Sequence, residues 1–91
     1  KGNMDNRQLR ETLEQLHSQL GQAQPVDDST RQVLQHLMKD IEQVLKIPGD
    51  IPAQHANSLS ARLTASLKHF EDSHSDLTLT IKQVLDNLAQ V

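Results

Sequence analysis

The 91-residue chain has no cysteine, no tryptophan and no tyrosine, and Phe70 is its single aromatic residue. Without cysteine there is no disulfide framework and no thiolate for nucleophilic or metal chemistry; a reducing compartment fits this. Without tyrosine or tryptophan, bases have little to stack on. The nine Lys and Arg residues are scattered rather than gathered on one face, so the electrostatic footprint of a nucleic-acid binder is missing. No apolar run approaches the length of a membrane span, and no signal-peptide core follows Met4. The polar helix faces lack the basic density and aromatic anchors of interfacial helices. The sequence is therefore read as a cytoplasmic protein that takes neither nucleic acid nor membrane as partner. Glycine and proline number three each, and there is no G-x-S-x-G elbow and no phosphate-binding glycine loop. The acids Glu11, Glu14, Glu42, Glu71 and Asp72 fall at positions expected to be solvated helix surface. No enzyme, no catalytic residue and no cofactor are expected.

What is there is leucine and glutamine, fourteen and eleven residues respectively, with few β-branched residues, a composition that favours helix. Residues 1–3 precede Met4 and are read as a vector-derived remnant; residues 4–91 are read as one small helical domain. Apolar residues recur at steps of four and three, which lines them along one face of a helix. Leu9, Leu13, Leu16 and Leu20 form the first stripe, and Leu34, Leu37, Ile41 and Val44 the second. The longest pattern repeats every seven residues at Ala56, Leu63, Phe70, Leu77, Val84 and Val91, with a second row at Leu67, His74, Ile81 and Leu88.

Punctuation divides the stripes into helices near 5–21, 28–46, 52–72 and 75–90. Asp5 or Asn6 is placed to cap the first, and Gly21 to end it. Asp27 and Asp28 suit the second N-terminus, where they accept from free amides and face the positive end of the dipole. Val33, Met38 and Leu45 widen its apolar face, so this helix is expected to be the most buried. Pro48-Gly49 reads as a type II turn, Ile47 and Ile51 are expected to tuck against the bundle ends, and Pro52 suits a first helical turn. After Phe70 two readings stand: one continuous coiled-coil helix, as the unbroken register suggests, or a break at 73–75, as the capping residues Ser73 and Ser75 suggest. Leu77-Thr78-Leu79-Thr80-Ile81 alternates with period two, but a lone strand would have no partner.

The fold expected is all-α, a small bundle of three to four antiparallel amphipathic helices with short connections. The apolar complement is small for a monomer, and oligomerisation is a common remedy at this size. Homodimerisation through the leucine stripes is therefore expected; the helix-packing residues, whether they meet within the chain, between chains or both, are Leu9, Leu13, Leu16, Leu20, Leu34, Leu37, Ile41, Val44, Leu63, Leu67, Phe70, Leu77, Ile81, Val84 and Leu88.

Five histidines, His17, His36, His55, His69 and His74, are the residues that hint at a site. No two have the i, i+4 spacing that puts a pair of imidazoles on one helix face for zinc. His36 and Asp40 do have it as a mixed pair, although metal sites usually need three or four ligands. His74 sits on the seam. Polar residues at such positions fix register at some cost in stability, and a histidine in an apolar seam resists protonation, which makes it pH-sensitive. In an exposed inter-helix turn it is instead a hinge residue.

Leu9-Arg10-Glu11-Thr12-Leu13-Glu14-Gln15-Leu16-His17, the second helix from Asp28-Ser29-Thr30-Arg31 to Asp40-Ile41, and Phe70-Glu71-Asp72-Ser73-His74 together resemble a bacterial domain-of-unknown-function family of about 90-residue proteins (DUF 4404). In the family's pattern a proline often follows the histidine equivalent to His74; Ser75 stands there in this chain. The resemblance favours a break near 73–75 and supplies no activity and no functional residue. The functional reading is a non-enzymatic helical interaction or oligomerisation module, homodimeric or with an unidentified protein partner. The opposing reading is a small metal- or ligand-responsive accessory protein with His36, Asp40 or His74 as contacts.

Overall fold

A computed structural model describes residues 2–25 and 27–90, with side chains for 7–25 and 27–89. Four helices follow in order: α1 (Gly2–Gln22), α2 (Asp28–Leu45), α3 (Ala53–Phe70) and α4 (Ser75–Gln90). Each helix packs on its two neighbours in a ring α1–α2–α3–α4, with α4 returning to α1. The cross-helix contacts fix the directions. Arg10 reaches Ile47 while His17 reaches Glu42, so α1 and α2 run antiparallel. Asn87 reaches Thr12 while His74 reaches Gln24, so α4 is antiparallel to α1 and parallel to α2. The result is a 40 × 20 × 20 Å bundle.

The stripes become the core. Leu9, Leu13, Leu16 and Leu20 of α1, Leu34, Leu37, Ile41 and Val44 of α2, Ala56, Leu59, Leu63 and Phe70 of α3, and Leu77, Ile81, Val84 and Leu88 of α4 are all buried, with Leu67 and Leu85 packed against them at the edge. These residues meet one another inside one chain. This removes the argument for a second copy as the means of completing the core: four narrow stripes hide fully when all four face a common axis. Ile51 is buried beneath the second connection, whereas Ile47 is only half covered.

The second helix is not the most enclosed. The tightest pair is α1–α4 and the loosest is α2–α3. A wide apolar face is buried only as far as its neighbours reach, and the part of α3 facing Val33 carries the small side chains Ala65 and Ser66. Ser66, Thr80 and Thr30 are buried although polar. Ser66 donates to the Leu63 carbonyl at 2.7 Å and Thr80 to the Asp76 carbonyl at 3.1 Å, which satisfies their hydroxyls within their own helices.

The ends follow the sequence in part. Asp27 caps α2: its carboxylate accepts from the Thr30 amide at 2.8 Å, and this bond holds its carboxyl below the ordinary carboxylate range. Gly49 takes a φ of +74°, the positive value a type II turn requires at its third residue. Pro52 stands as N-cap of α3, one position before the first helical residue. Gly21 does not end α1. The helix continues to Gln22 with Gly21 at an ordinary φ, and Ala23 donates back to the Leu20 carbonyl at 3.4 Å. The backbone of Asp5 and Asn6 lies inside α1, because an established helix adds residues more cheaply than a cap arrests it; the side chains of both, and all of Val91, lie outside the described residues.

α2 has no basic residue in its last turn. Arg10 supplies one from α1. Its guanidinium donates to the carbonyls of Leu45 at 3.2 Å, Ile47 at 2.5 Å and Gly49 at 2.5 Å. A cation there complements the negative helix end and satisfies carbonyls the helix leaves free. Arg10→Met keeps the aliphatic stem and removes the donors. It should lower the urea midpoint at unchanged slope, by about 1–2 kcal/mol of stability; an unchanged midpoint would show the contacts to be incidental.

Candidate functional site

The first place of interest is the break after α3. Residues 71–73 form a turn, and His74 precedes α4. The His74 amide donates to the Phe70 carbonyl at 2.8 Å, and the Thr78 amide to the His74 carbonyl at 3.0 Å. Each bond spans four residues, so the turn consumes about one helical repeat. That is why Phe70 and Leu77 both reach the core and the heptad register survives the break. Continuous and broken readings were indistinguishable by spacing for the same reason. Neither serine caps α4 through a helix amide: Ser73 Oγ instead contacts His74 Nδ1 at 2.8 Å and the His69 carbonyl at 3.5 Å.

His74 is half-buried at the rim of the bundle, edge-on to Phe70 with ring centres 6.0 Å apart. Its Nε2 lies 2.8 Å from the Gln24 carbonyl oxygen. A carbonyl only accepts, so Nε2 is the donor in this bond, and Nδ1 lies in hydrogen-bond contact with the Ser73 hydroxyl. The imidazole thus ties the α3–α4 turn to the α1–α2 connection, fifty residues away in sequence. The position has a clear signature in the sign of a substitution. Leucine in place of a seam-buried histidine raises stability, whereas loss of this tie lowers it. His74→Leu should reduce unfolding free energy by about 1 kcal/mol, read by urea denaturation; an increase would return His74 to the seam.

The second place is a groove between α2 and α3 of about 580 Å³, lined by Val33, His36, Leu37, Lys39, Asp40, Gln43, Arg62, Ala65, Ser66 and His69. Its floor is Leu37 and Ser66, both buried, and Ala65 stands exposed on the wall beside them. Along its length Lys39 and Arg62 stand toward one end, and His36 and His69 toward the other, since Arg62 fixes the height of α3 against Asp40. That ion pair closes at 2.6 Å, and the carboxylate raises the already high pKa of the guanidinium. Asp40 Oδ1 is therefore taken by Arg62, while Asp40 Oδ2 is buried without a hydrogen-bond partner. The mixed pair of His36 and Asp40 lies beside this groove, but among the described residues no group of three or more His, Cys, Asp or Glu side chains is placed to hold a metal ion. His17 pairs instead with Glu42 at 2.8 Å across α1 and α2. Sequence reasoning missed the groove: its cause is the small size of Ala65 and Ser66 opposite Val33 and Leu37, and periodicity marks where apolar residues lie without weighing how much space they fill.

The alignment with known families bears on the whole chain. The profile of the family described as Domain of unknown function (DUF4404) matches residues 9–91. The chain belongs to the DUF4404 family. The match runs from the first core leucine of α1 through α4, so the DUF4404 unit in this chain and the four-helix bundle coincide. No curated protein and no solved structure is detectably similar to it. The family's description carries no activity, and the chemistry of this DUF4404 chain rests on its own geometry.

Proposed function

We propose that the chain is a non-enzymatic helical interaction module of the bacterial cytoplasm, that the α2–α3 groove is its contact surface, and that a homodimer is its favoured assembly. The observation that carries this reading is the contrast between the two kinds of apolar surface. The four stripes are spent inside the chain, whereas the groove keeps an apolar floor open to the outside between polar walls. Grooves of this size, apolar at the base with a few polar groups along the rim, are where proteins take ligands and partner helices.

The rest of the polar chemistry is structural in character. Thr12, Thr64, Thr78 and Thr80 donate to carbonyls four residues back, a common way for hydroxyls to be used up within a helix. Arg10, His17, His74 and Asn87 bond across helices. No described helix is long and apolar enough to cross a membrane. A metal-responsive role finds less support, since Asp40 is held by Arg62 and His74 by Gln24 and Ser73.

Ala65 is exposed on the groove wall, so a larger side chain there fills the groove without entering the core. Wild type should show a rise of molar mass with concentration by sedimentation equilibrium, and Ala65→Glu should abolish that rise while leaving the thermal midpoint within a few degrees of wild type. If wild type and variant associate equally, the groove is not the contact surface.

A further inference from the structure

The groove does not stop at the Arg62–Asp40 ion pair. A second hollow of about 180 Å³ adjoins it, over the buried Val44 and Leu59, and shares Asp40, Gln43 and Arg62 with the first. Together they form one depression between α2 and α3, the loosest pair of the ring. Along α2 it runs from Val33 to Val44, and along α3 from His55 to His69. At a rise of about 1.5 Å per residue these spans are about 16 and 21 Å long. A small ligand fills one hollow. A helix of three to four turns spans both, and a groove between two helices is a common seat for a third.

The depression carries the opposite charge balance to the rest of the chain. Net charge is −3, and α1, α2 and α4 each hold at least two acids. α3 holds none: its ionisable side chains are His55, Arg62, Lys68 and His69. Lys39, Arg62 and the imidazoles of His36, His55 and His69 stand exposed around the depression. Among the described residues that line it, Asp40 is the one acid, and its Oδ1 is taken by Arg62 at 2.6 Å. Arg62 makes that contact through Nη1. A guanidinium has five N–H donors, so Arg62 keeps donors for a second carboxylate.

The ion pair also sets a spacing. Leu37 and Val44 mark the two hollows seven residues apart on α2, about 10 Å, and the Arg62–Asp40 pair lies between them. A helix laid along the depression therefore offers one apolar side chain at i and another at i+7. At i+3 or i+4, on the same face, it crosses Arg62, and an acid there meets the guanidinium. The helices of this chain do not present such a face outward. Their apolar seams are buried together. Among the described residues Leu79 is the exposed large hydrophobic side chain, and the residues seven positions to either side of it are Asp72 and Asp86.

We propose that the α2–α3 depression binds an acidic amphipathic helix of a different protein, with apolar side chains over Leu37 and Val44 and a carboxylate between them on Arg62 and Lys39. This rests on the reading of the groove as a contact surface and adds the chemistry of a partner. A homodimer that closes over the same surface competes with it. The two apolar side chains supply most of the affinity. The carboxylate fixes which way and at what height the helix lies, since charges at the edge of a contact select an arrangement more than they strengthen it.

The test uses the full chain and fluorescein-labelled, alanine-rich helical peptides of about 14 residues, long enough to span the depression. The first peptide has leucine at i and i+7 and glutamate at i+3 and i+4. The second has lysine in place of both glutamates, and the third has glutamine in place of both leucines. Fluorescence anisotropy at low salt should show the glutamate peptide binding about tenfold tighter than the lysine peptide, with the glutamine peptide not bound. Lys39→Glu, at an exposed position, should erase that preference while keeping the circular dichroism of wild type. Ala65→Glu should abolish binding. Equal binding of the two charged peptides, a preference for lysine, or binding that survives Ala65→Glu overturns the acidic helix as occupant; so does a glutamate peptide that stays unbound at about millimolar chain. Sedimentation without peptide decides the contact between copies separately. A wild type that associates, and loses association on Ala65→Glu, keeps that reading even when no peptide binds.

Discussion

Everything in this chain depends on hiding four narrow aliphatic stripes. A helix with apolar residues at steps of three and four presents one face to bury, and the core here is aliphatic apart from Phe70. No two of these helices cover each other's stripes completely. Four around a common axis do, and the short connections permit that arrangement because they leave sequential neighbours antiparallel. The return of α4 to α1 is the step that closes the ring. It is also the tightest pairing, so the two helices most distant in sequence contribute the most to enclosing the core.

Polar groups then hold the ends of that arrangement rather than its centre. Arg10 fastens the end of α2, His74 fastens the turn before α4 to the connection after α1, and Asn87 joins α4 to Thr12. These bonds lie at the rim, where a donor and acceptor exchange water for each other at modest net gain. Their value is in selecting one arrangement. Aliphatic stripes pack with little directional preference, and each of these contacts is satisfied in one helix order and one register. The family match spans all four helices of the ring, from residue 9 to residue 91.

Much of the architecture is legible in the sequence because the signals are local. The stripes place the helices within a few residues, Asp27 marks the start of α2, and Pro48-Gly49 marks a turn whose glycine does take a positive φ. The DUF4404 resemblance is also carried by local segments. What the sequence hides is non-local. Leu9 or Val84 reads the same whether its partner is another helix of the same chain or a second copy, so the stripes alone leave open what the fold decides by gathering them into one core. Arg10 gives no sign that it caps a helix thirty-five residues on. Ser66 and Thr80 are polar and buried because each bonds its own helix, which an apolar pattern passes over. The groove arises from missing volume, and periodicity carries no volumes.

The central claim is that one chain completes its own hydrophobic core, so that any association is added to a folded unit instead of creating it. The direct measurement is thermal unfolding of the Ala65→Glu chain, followed by circular dichroism at 222 nm over about a hundred-fold dilution, since a melting point that depends on concentration marks folding coupled to assembly. The account predicts one cooperative transition with a midpoint that does not move. A midpoint that falls steadily on dilution, with helix lost at the lowest concentration, would show that the stripes need a second chain and would contradict the account.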